Sequence, residues 1–183
     1  DKRIPLAPRT VFNVASVSKQ FTAFAVLLLD QRGVLSLDDP VTKHVPELGD
    51  TARAVTLRHL MHHTGGLREY VSLLQLAGHS FADRTTREQT VEIVARQRGV
   101  NAPPGTAYDY SNTGYFLLGL AVERSSKRTL REFLRDEVFV PLGMTNTPAV
   151  DAYPAGIPAL ARGYSPAGEG FQVNESNWEQ TGD

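Results

Sequence analysis

The apolar residues of this chain recur mainly at helical intervals, and the alternation typical of strands is rare. The first helical pattern covers residues 16–31, where a spacing of four, three and four residues joins Val17, Phe21, Phe24 and Leu28. Most other positions within 23–29 are also apolar, so we expect this helix to be buried nearly all round in the centre of the protein. Gly33 is expected to end it, because glycine adopts the left-handed conformation of a helix C-terminus without strain.

Start and stop signals predict further helices downstream. The predicted helices are one or two turns after Pro40 and longer segments at residues 56–63, 86–98, 113–126 and 129–140. A loop-rich helical region is predicted over 68–85. Thr86, with Gln89 three residues later, forms a capping box. The Pro-Pro-Gly sequence within 101–112 predicts a loop, and residues 159–166 are predicted as a short strand. We therefore expect a chain that is mainly α-helical with long loops.

Composition narrows the functions that this chain can serve. Its 183 residues are 41% hydrophobic and suffice for one domain with a core. The formal net charge is −1, which provides no electrostatic reason to expect nucleic acid or an acidic membrane surface as a partner. Because the chain has no cysteine, disulfides, thiolate catalysis and cysteine-bound zinc are excluded. The longest apolar run, residues 21–29, is shorter than the ~20 residues of a membrane span.

Ser16 and Lys19 are the first candidates for catalytic chemistry. Residues three apart on a helix are neighbours on one face, and a serine hydroxyl becomes a good nucleophile when a base takes its proton. An amine can be that base when burial or a positive field favours its neutral form, and the start of an apolar helix offers both. The backbone N–H of Ser16 would also be free there to stabilise an oxyanion. Taken alone, S-x-x-K is a weak signal, and an ordinary capped and solvated first turn is the favoured interpretation.

A second candidate group lies in the loop before the helix predicted at 113–126. Tyr110 could relay a proton if a nearby cation stabilised its phenolate. Asn112 could donate its amide N–H to a substrate carbonyl or contact the surroundings of the lysine. The structural alternative is that Ser111 or Asn112 caps the helix and Tyr110 is a packed aromatic residue.

Three histidines, His59, His62 and His63, lie at helical positions i, i+3 and i+4. Neither an H-E-x-x-H motif nor an acidic residue at a suitable distance accompanies them, so we predict no metal site. A histidine that ties the end of its helix to a neighbouring loop is the preferred interpretation.

Taken together, these motifs resemble those of serine β-lactamases and penicillin-binding proteins, in which S-x-x-K is followed by partner motifs later in the chain. The chain is most similar to the branch whose second motif is Tyr-x-Asn. That branch contains class C β-lactamases, D-alanyl-D-alanine carboxypeptidases and β-lactamase-like carboxylesterases. Five segments match in order and approximate spacing between about Arg9 and Thr147, namely TVFNVASVSKQFTA, GVLSLDDPVTKHVPEL, VTLRHLMHHTGGL, PPGTAYDYSNTGYFLLG and VFVPLGMTNT.

The resemblance assigns a role to each candidate residue. Ser16 would be the acylated nucleophile and Lys19 its proton acceptor. Tyr110 would serve the leaving group and the deacylating water as second acid/base, and Asn112 would orient the substrate and the lysine. Ser18 would take no part, since no lysine stands three residues after it.

The activity implied by the resemblance is that of a serine hydrolase without a cofactor or metal. Its partner would be a small-molecule ester, a β-lactam or a short D-amino-acid peptide. The alternative is a penicilloyl-sensor domain that is acylated on Ser16 but does not turn over. The resemblance favours a periplasmic or secreted location and says nothing of the oligomeric state.

The resemblance also implies the β-lactamase/transpeptidase-like α/β fold, a helical region packed with an antiparallel sheet. Residues 1–183 would form a single but incomplete domain, because the N-terminal strands and the third motif, Lys-Thr-Gly or His-x-Gly on a strand, are not found. The chain starts without methionine and ends on NWEQTGD. We therefore expect it to be a fragment of a longer protein that holds the first two catalytic motifs.

Overall fold

The computed structural model describes residues 5–80, 83, 85–150, 157 and 160–173. Within these residues the chain is mainly helical, as expected, and one small hairpin forms its sheet. The helices are α1 (Lys19–Gln31), α2 (Val41–His44), α3 (Leu57–Met61), α4 (Tyr70–Leu76), α5 (Arg87–Ala95), α6 (Asn112–Ser126) and α7 (Leu130–Leu134). The strands are β1 (Tyr164–Ala167) and β2 (Gly170–Val173), and 3-10 or π turns occupy Ala15–Ser18, Pro46–Ala52 and Arg135–Phe139.

Local sequence signals set several of the helix boundaries. The predicted capping box of Thr86 and Gln89 is confirmed: the Thr86 hydroxyl accepts from Gln89 N–H at 3.3 Å, and the Gln89 side chain accepts from Thr86 N–H at 2.8 Å. The same arrangement begins α3 at Thr56 and α7 at Thr129. Gly33 follows α1 with a φ of 68°, as predicted for a residue that ends a helix. Each of the three capping boxes satisfies N–H groups that the start of its helix leaves without partners.

The centre of the fold is α6, and the expectation that the first helix would occupy it was wrong. Ten consecutive residues of α6, from Thr113 to Val122, are buried, and the helix packs against α1, α2, α3, α4 and α7. Gly114 allows a close approach to α3, since a Cβ there would lie 3.3 Å from the Leu60 carbonyl oxygen. A helix enclosed in this way needs apolar residues on all its faces. None of the described helices is long and apolar enough to cross a membrane.

The larger residues whose spacing predicted the first helix mark its buried side only in part. Val17, in the turn before α1, and Phe24 are 58% and 43% exposed, whereas Phe21 and Leu28 are partly buried against the core. The buried side chains of α1 are Lys19, Thr22, Ala25, Val26 and Leu29. Because the helix is apolar on both sides, periodicity alone does not decide which side is buried. The core takes the side with Ala25 and Val26, whose compact side chains allow α6 to approach closely.

The helix predicted over 129–140 is regular only in its first part. After α7 the chain passes into a π turn at Arg135–Phe139. This turn buries Phe139, whose ring meets the ring of Phe21 edge-on with centroids 5.2 Å apart. The wider turn therefore closes the apolar contact between the end of this helix and α1, a feature that a 3.6-residue period does not reveal.

The β-structure brings the N-terminal segment together with the end of the described chain. The strand predicted over 159–166 is confirmed only in part, since β1 begins at Tyr164 and pairs antiparallel with β2. The first residue of that prediction lies outside the described residues. Leu160 forms an isolated parallel bridge with Val11, whose carbonyl accepts from Ala161 N–H at 2.8 Å.

Thr113 links α6 to the start of α4 inside the core. Its hydroxyl accepts from Tyr70 N–H at 2.7 Å and donates to the Arg68 carbonyl at 2.8 Å. The residue has no exposed surface, so both hydrogen bonds form away from water. Thr113 thus connects two helices by polar contacts that an apolar side chain of the same shape would not make.

We expect Thr113→Val to lower the free energy of unfolding by about 2–3 kcal/mol, because two buried hydrogen bonds are lost and the backbone groups that made them are left without this partner. Urea denaturation measures the change. The matched control is Thr90→Val, since Thr90 is equally buried but its hydroxyl donates to the Thr86 carbonyl within its own helix. The control should lose less than about 1 kcal/mol. Equal losses in the two variants would contradict the linking role of Thr113.

Candidate active site

Ser16 stands on a 3-10 turn, Ala15–Ser18, that leads into α1. Ala15 has a φ of 46°, in the left-handed region that a residue with a Cβ adopts only with strain. The Ala15 N–H donates to the side-chain oxygen of Asn13 at 2.8 Å, which holds the strained residue in place. The side chain that follows, Ser16, is exposed to solvent and so is accessible to a substrate.

The helical start expected at Ser16 is present as this 3-10 turn, and regular α-helix begins at Lys19. The first hydrogen bond of the preceding turn runs from Val17 N–H to the Val14 carbonyl at 3.1 Å. The N–H of Ser16 therefore precedes the helical ladder, where a helix start leaves donors for other acceptors. Its role as an oxyanion donor stays a prediction.

Lys19 lies on the buried side of Ser16 and is only 6% exposed. Its Nζ is 3.2 Å from Ser16 Oγ and 2.8 Å from Asn112 Oδ1. The amine also faces the rings of Tyr110 and Tyr115, at 5.3 Å and 5.6 Å from their centroids. None of the ion pairs within the described residues includes Lys19, so the contacts that hold its amine there are made by neutral groups.

Tyr110 approaches the same hydroxyl from the loop before α6. Its phenol O–H donates to Ser16 Oγ at 2.7 Å across 94 residues of sequence. The tyrosine is 44% exposed, so its ring borders solvent while its oxygen contacts the serine. In the described part of the chain no hydrogen bond joins Ser18 to Lys19 or Tyr110. The structure thus brings the four candidates Ser16, Lys19, Tyr110 and Asn112 into one cluster.

The start of α6 sets the position of Asn112. Ser111 is the N-cap, and its hydroxyl accepts from Gly114 N–H at 3.1 Å. The carboxylate of Glu69 also receives the N–H groups of Asn112 at 2.7 Å and Thr113 at 3.3 Å. A negative charge at a helix N-terminus is favourable because it meets the free N–H groups and the positive end of the dipole. No local motif marks Glu69 in the sequence, because its partners lie more than 40 residues away along the chain.

The loop that carries Tyr110 is bound along the segment that follows α3. Three backbone hydrogen bonds join them, from Asn101 N–H to Gly66 O (2.7 Å), Gly105 N–H to Thr64 O (2.8 Å) and Asp109 N–H to His63 O (2.8 Å). Gly66 has a φ of 68°, and a Cβ there would lie 2.0 Å from the Ala102 carbonyl oxygen. The close approach of the two segments therefore depends on glycine at this position.

His63 confirms the prediction that a histidine ties the end of its helix to a neighbouring loop. Its Nδ1 accepts from Ser111 N–H at 3.0 Å, and its ring stacks on Tyr110 with centroids 4.6 Å apart. Burial, and next the charge of Lys19, lower the pKa of His63 from its usual value. His59 is used differently, as part of the capping box of α3, and His62 is exposed. Among the described residues, no group of three or more acidic or histidine side chains converges as metal ligands do.

Tyr115 lies beside Lys19 on the buried side of the site, and its phenol O–H is already used in a hydrogen bond. Its O–H donates to the Met61 carbonyl at 3.1 Å, and burial raises its pKa, with smaller contributions from neighbouring tyrosines. The group therefore stays protonated and contributes a ring face to the amine. Of the two tyrosines beside Lys19, Tyr110 has the oxygen that contacts the serine.

Comparison with known proteins places this geometry in a wider context. A family model described as Beta-lactamase matches residues 1–182. Penicillin-binding protein 4* of Bacillus subtilis is 34% identical over 149 residues, which cover 78% of this chain and 31% of that protein. The chain thus spans about a third of the length of this relative.

Solved structures are similar over nearly all of the chain. A penicillin binding protein from Bacillus halodurans has a TM-score of 0.81 and 28% identity, covering 98% of this chain and 54% of its own. D-amino acid amidase from Ochrobactrum anthropi SV3 has a TM-score of 0.74 and 31% identity, covering 90% of this chain and 47% of its own. These similarities confirm the fold expected from the resemblance, of which this chain spans about half.

The contact at Gly66 leads to a test of how the loop is held. Gly66→Ala should lower the free energy of unfolding by about 3 kcal/mol, from roughly 1–2 for the left-handed backbone and 1–3 for the overlap with Ala102. Gly33→Ala is the matched control, because its φ is also 68° but no atom lies within 4 Å of the added Cβ. Gly33→Ala should lower the free energy of unfolding only by the roughly 1–2 kcal/mol of the left-handed backbone. Urea denaturation of both variants decides, and equal losses would show that the contact does not hold the loop.

Proposed function

The chain belongs to the beta-lactamase family of serine hydrolases, and from this premise we propose that the protein hydrolyses ester or amide bonds through an acyl-enzyme on Ser16. One observation carries the proposal: Ser16 Oγ lies 3.2 Å from the amine of Lys19 and 2.7 Å from the phenol oxygen of Tyr110. A single exposed hydroxyl is thus within reach of two groups that can move its proton. This is the arrangement that nucleophilic catalysis by serine requires.

In the first step Ser16 Oγ attacks the substrate carbonyl carbon and passes its proton to Lys19 Nζ. The carbonyl π electrons move to oxygen and form a tetrahedral oxyanion, which Ser16 N–H would stabilise at the helix start. Lys19 suits the role of acceptor because an amide oxygen, and not a carboxylate, holds its amine near the serine. The fixed distance also provides the proximity on which such proton transfers depend.

In the second step the tetrahedral intermediate collapses, the bond to the leaving group breaks, and the leaving group takes up a proton. Tyr110 is proposed to deliver that proton, because its oxygen already contacts Ser16 Oγ from the solvent side of the site. The resulting Tyr110 phenolate then takes a proton from the water molecule that attacks acyl-Ser16, and Lys19 returns its proton to Ser16 Oγ as the acid is released. Asn112 keeps Lys19 in place and orients the substrate from the N-terminus of α6.

The substrate is proposed to be a small-molecule ester or amide, including β-lactams and D-amino-acid amides. The support is chemical and comparative: an acyl-serine route serves all carbonyl compounds with a suitable leaving group, and the relatives include a penicillin-binding protein and a D-amino acid amidase. The sensor alternative shares the acylation step and differs in deacylation. A mass spectrum of the protein after reaction with a β-lactam separates them, since a sensor keeps the adduct and a hydrolase loses it.

The first test compares the two neighbouring serines in the complete protein. Ser16→Ala should abolish turnover of a chromogenic ester and a chromogenic cephalosporin and should prevent an acyl adduct, because the attacking oxygen is gone. Ser18→Ala should keep activity within about tenfold, since the serine lies on the same turn but, among the described residues, makes no hydrogen bond to the two proton-transferring groups. The reverse result, activity retained without Ser16 and lost without Ser18, would refute the assignment.

The second test concerns the base. Lys19→Ala should reduce kcat/KM by about 10²–10⁴-fold, which is the usual contribution of a positioned acid or base. Lys43→Ala is the control, because this lysine is exposed and forms an ion pair with Asp39, and neither residue belongs to the candidate site. Its loss should leave kcat/KM nearly unchanged. A similar small effect in both variants would exclude Lys19 as the proton acceptor.

A further inference from the structure

His63, which is not one of the four candidate catalytic residues, holds the backbone on both sides of Tyr110. Its ring Nδ1 accepts from Ser111 N–H at 3.0 Å. Its own carbonyl accepts from Asp109 N–H at 2.8 Å. One residue therefore fixes both chain neighbours of the tyrosine whose oxygen contacts Ser16.

The ring of His63 also fixes the direction of the Tyr110 ring. The two rings are stacked, with centroids 4.6 Å apart and planes inclined by 28°. On another side Tyr115 meets the histidine at a centroid distance of 5.1 Å. His63 has a φ of 56°, a strained backbone conformation that persists only where the surroundings hold it. The imidazole is thus a packed support against which Tyr110 is oriented.

The hydrogen bond from Ser111 requires a neutral imidazole. Nδ1 can accept only when it carries no proton, so the ring proton must be on Nε2. Protonation of Nδ1 would place two N–H donors, those of His63 and Ser111, facing each other and would break this hydrogen bond. It would also add a positive charge near Lys19. The titratable groups that face or influence the ring from the surrounding elements are Lys19 of α1, His62 of its own segment, Glu69 before α4, Tyr108 and Tyr110 of the loop, and Tyr115 of α6.

We propose that neutral His63 is a positioning residue that holds Tyr110 against Ser16, and that its protonation releases this hold and slows the reaction on the acid side. The inference rests on the proposed function of Ser16 and Tyr110. Burial and Lys19 keep the pKa of His63 below its usual value. The site is therefore assembled at neutral pH, and the hold is lost as pH falls through that lowered pKa.

Kinetics of two asparagine variants test the inference in the complete protein. In His63→Asn the amide oxygen can accept from Ser111 N–H, asparagine tolerates a positive φ, and the side chain does not titrate. His62→Asn is the matched control, because this neighbouring histidine is exposed. Between about pH 5 and 8, the acid limb of log(kcat/KM) for a chromogenic ester should be shallower by one proton in His63→Asn and should keep its slope in His62→Asn.

A third variant separates position from general damage. His63→Ala removes the acceptor and the ring, so kcat above neutral pH should fall about 10²-fold, as for a displaced catalytic group, with a smaller change in KM. His63→Asn should stay within about tenfold of the unmodified protein there. Equal losses of kcat in the two variants would contradict a role for the Ser111 hydrogen bond.

Nuclear magnetic resonance gives a readout that does not depend on turnover. The His63 ring and the Ser111 amide should titrate together with one pKa below about 6.5, and the Ser111 amide should stop titrating in His63→Asn. Independent titration of the two groups, or an unchanged acid limb in His63→Asn, would overturn this inference while leaving acylation of Ser16 intact. A protein that forms no acyl adduct at all would instead overturn the proposed function.

Discussion

The hydrogen bond between Lys19 Nζ and Asn112 Oδ1, 2.8 Å long, joins the two halves of the candidate site. Lys19 is the first residue of α1 and Asn112 the first residue of α6, so the bond exists only where the N-termini of both helices meet. A buried amine needs polar partners, and the amide oxygen supplies one without a carboxylate that would tie the amine up as an ion pair. The packing of α1 on α6 is therefore also the condition that holds the amine beside Ser16.

A second layer of contacts, all from the segment at 63–69, supports this meeting point. Glu69 receives the N–H groups at the start of α6, and His63 holds the loop on both sides of Tyr110. Gly66 lets the two segments approach at a distance that no larger residue permits. Three of the candidate residues thus stand on or beside helices, whereas Tyr110 stands on a loop. Its position depends most on these neighbours, which is why perturbing them should act on catalysis.

The sequence predicted those features that depend on residues close together in the chain. The capping box of Thr86 and Gln89 and the helix end at Gly33 follow from interactions within a few residues. The buried side of α1 did not follow, because the helix is apolar on two sides and packing against α6 and α7 decides which one is covered. The π turn at Arg135–Phe139 and the cap supplied by Glu69 were missed for a similar reason, since each responds to a distant partner.

The pairing of Ser16 with Lys19 was determined by the sequence itself, because a spacing of three residues across a helical start leaves the two side chains adjacent. Tyr110 and Asn112 joined them at that stage only through resemblance to a known family. Their contacts, at 2.7 Å to Ser16 and 2.8 Å to Lys19, were decided by the tertiary structure. The physical reason is that the bonds span more than 90 residues, and such partners meet only when α6 packs against α1 and the segment at 63–69 holds the intervening loop.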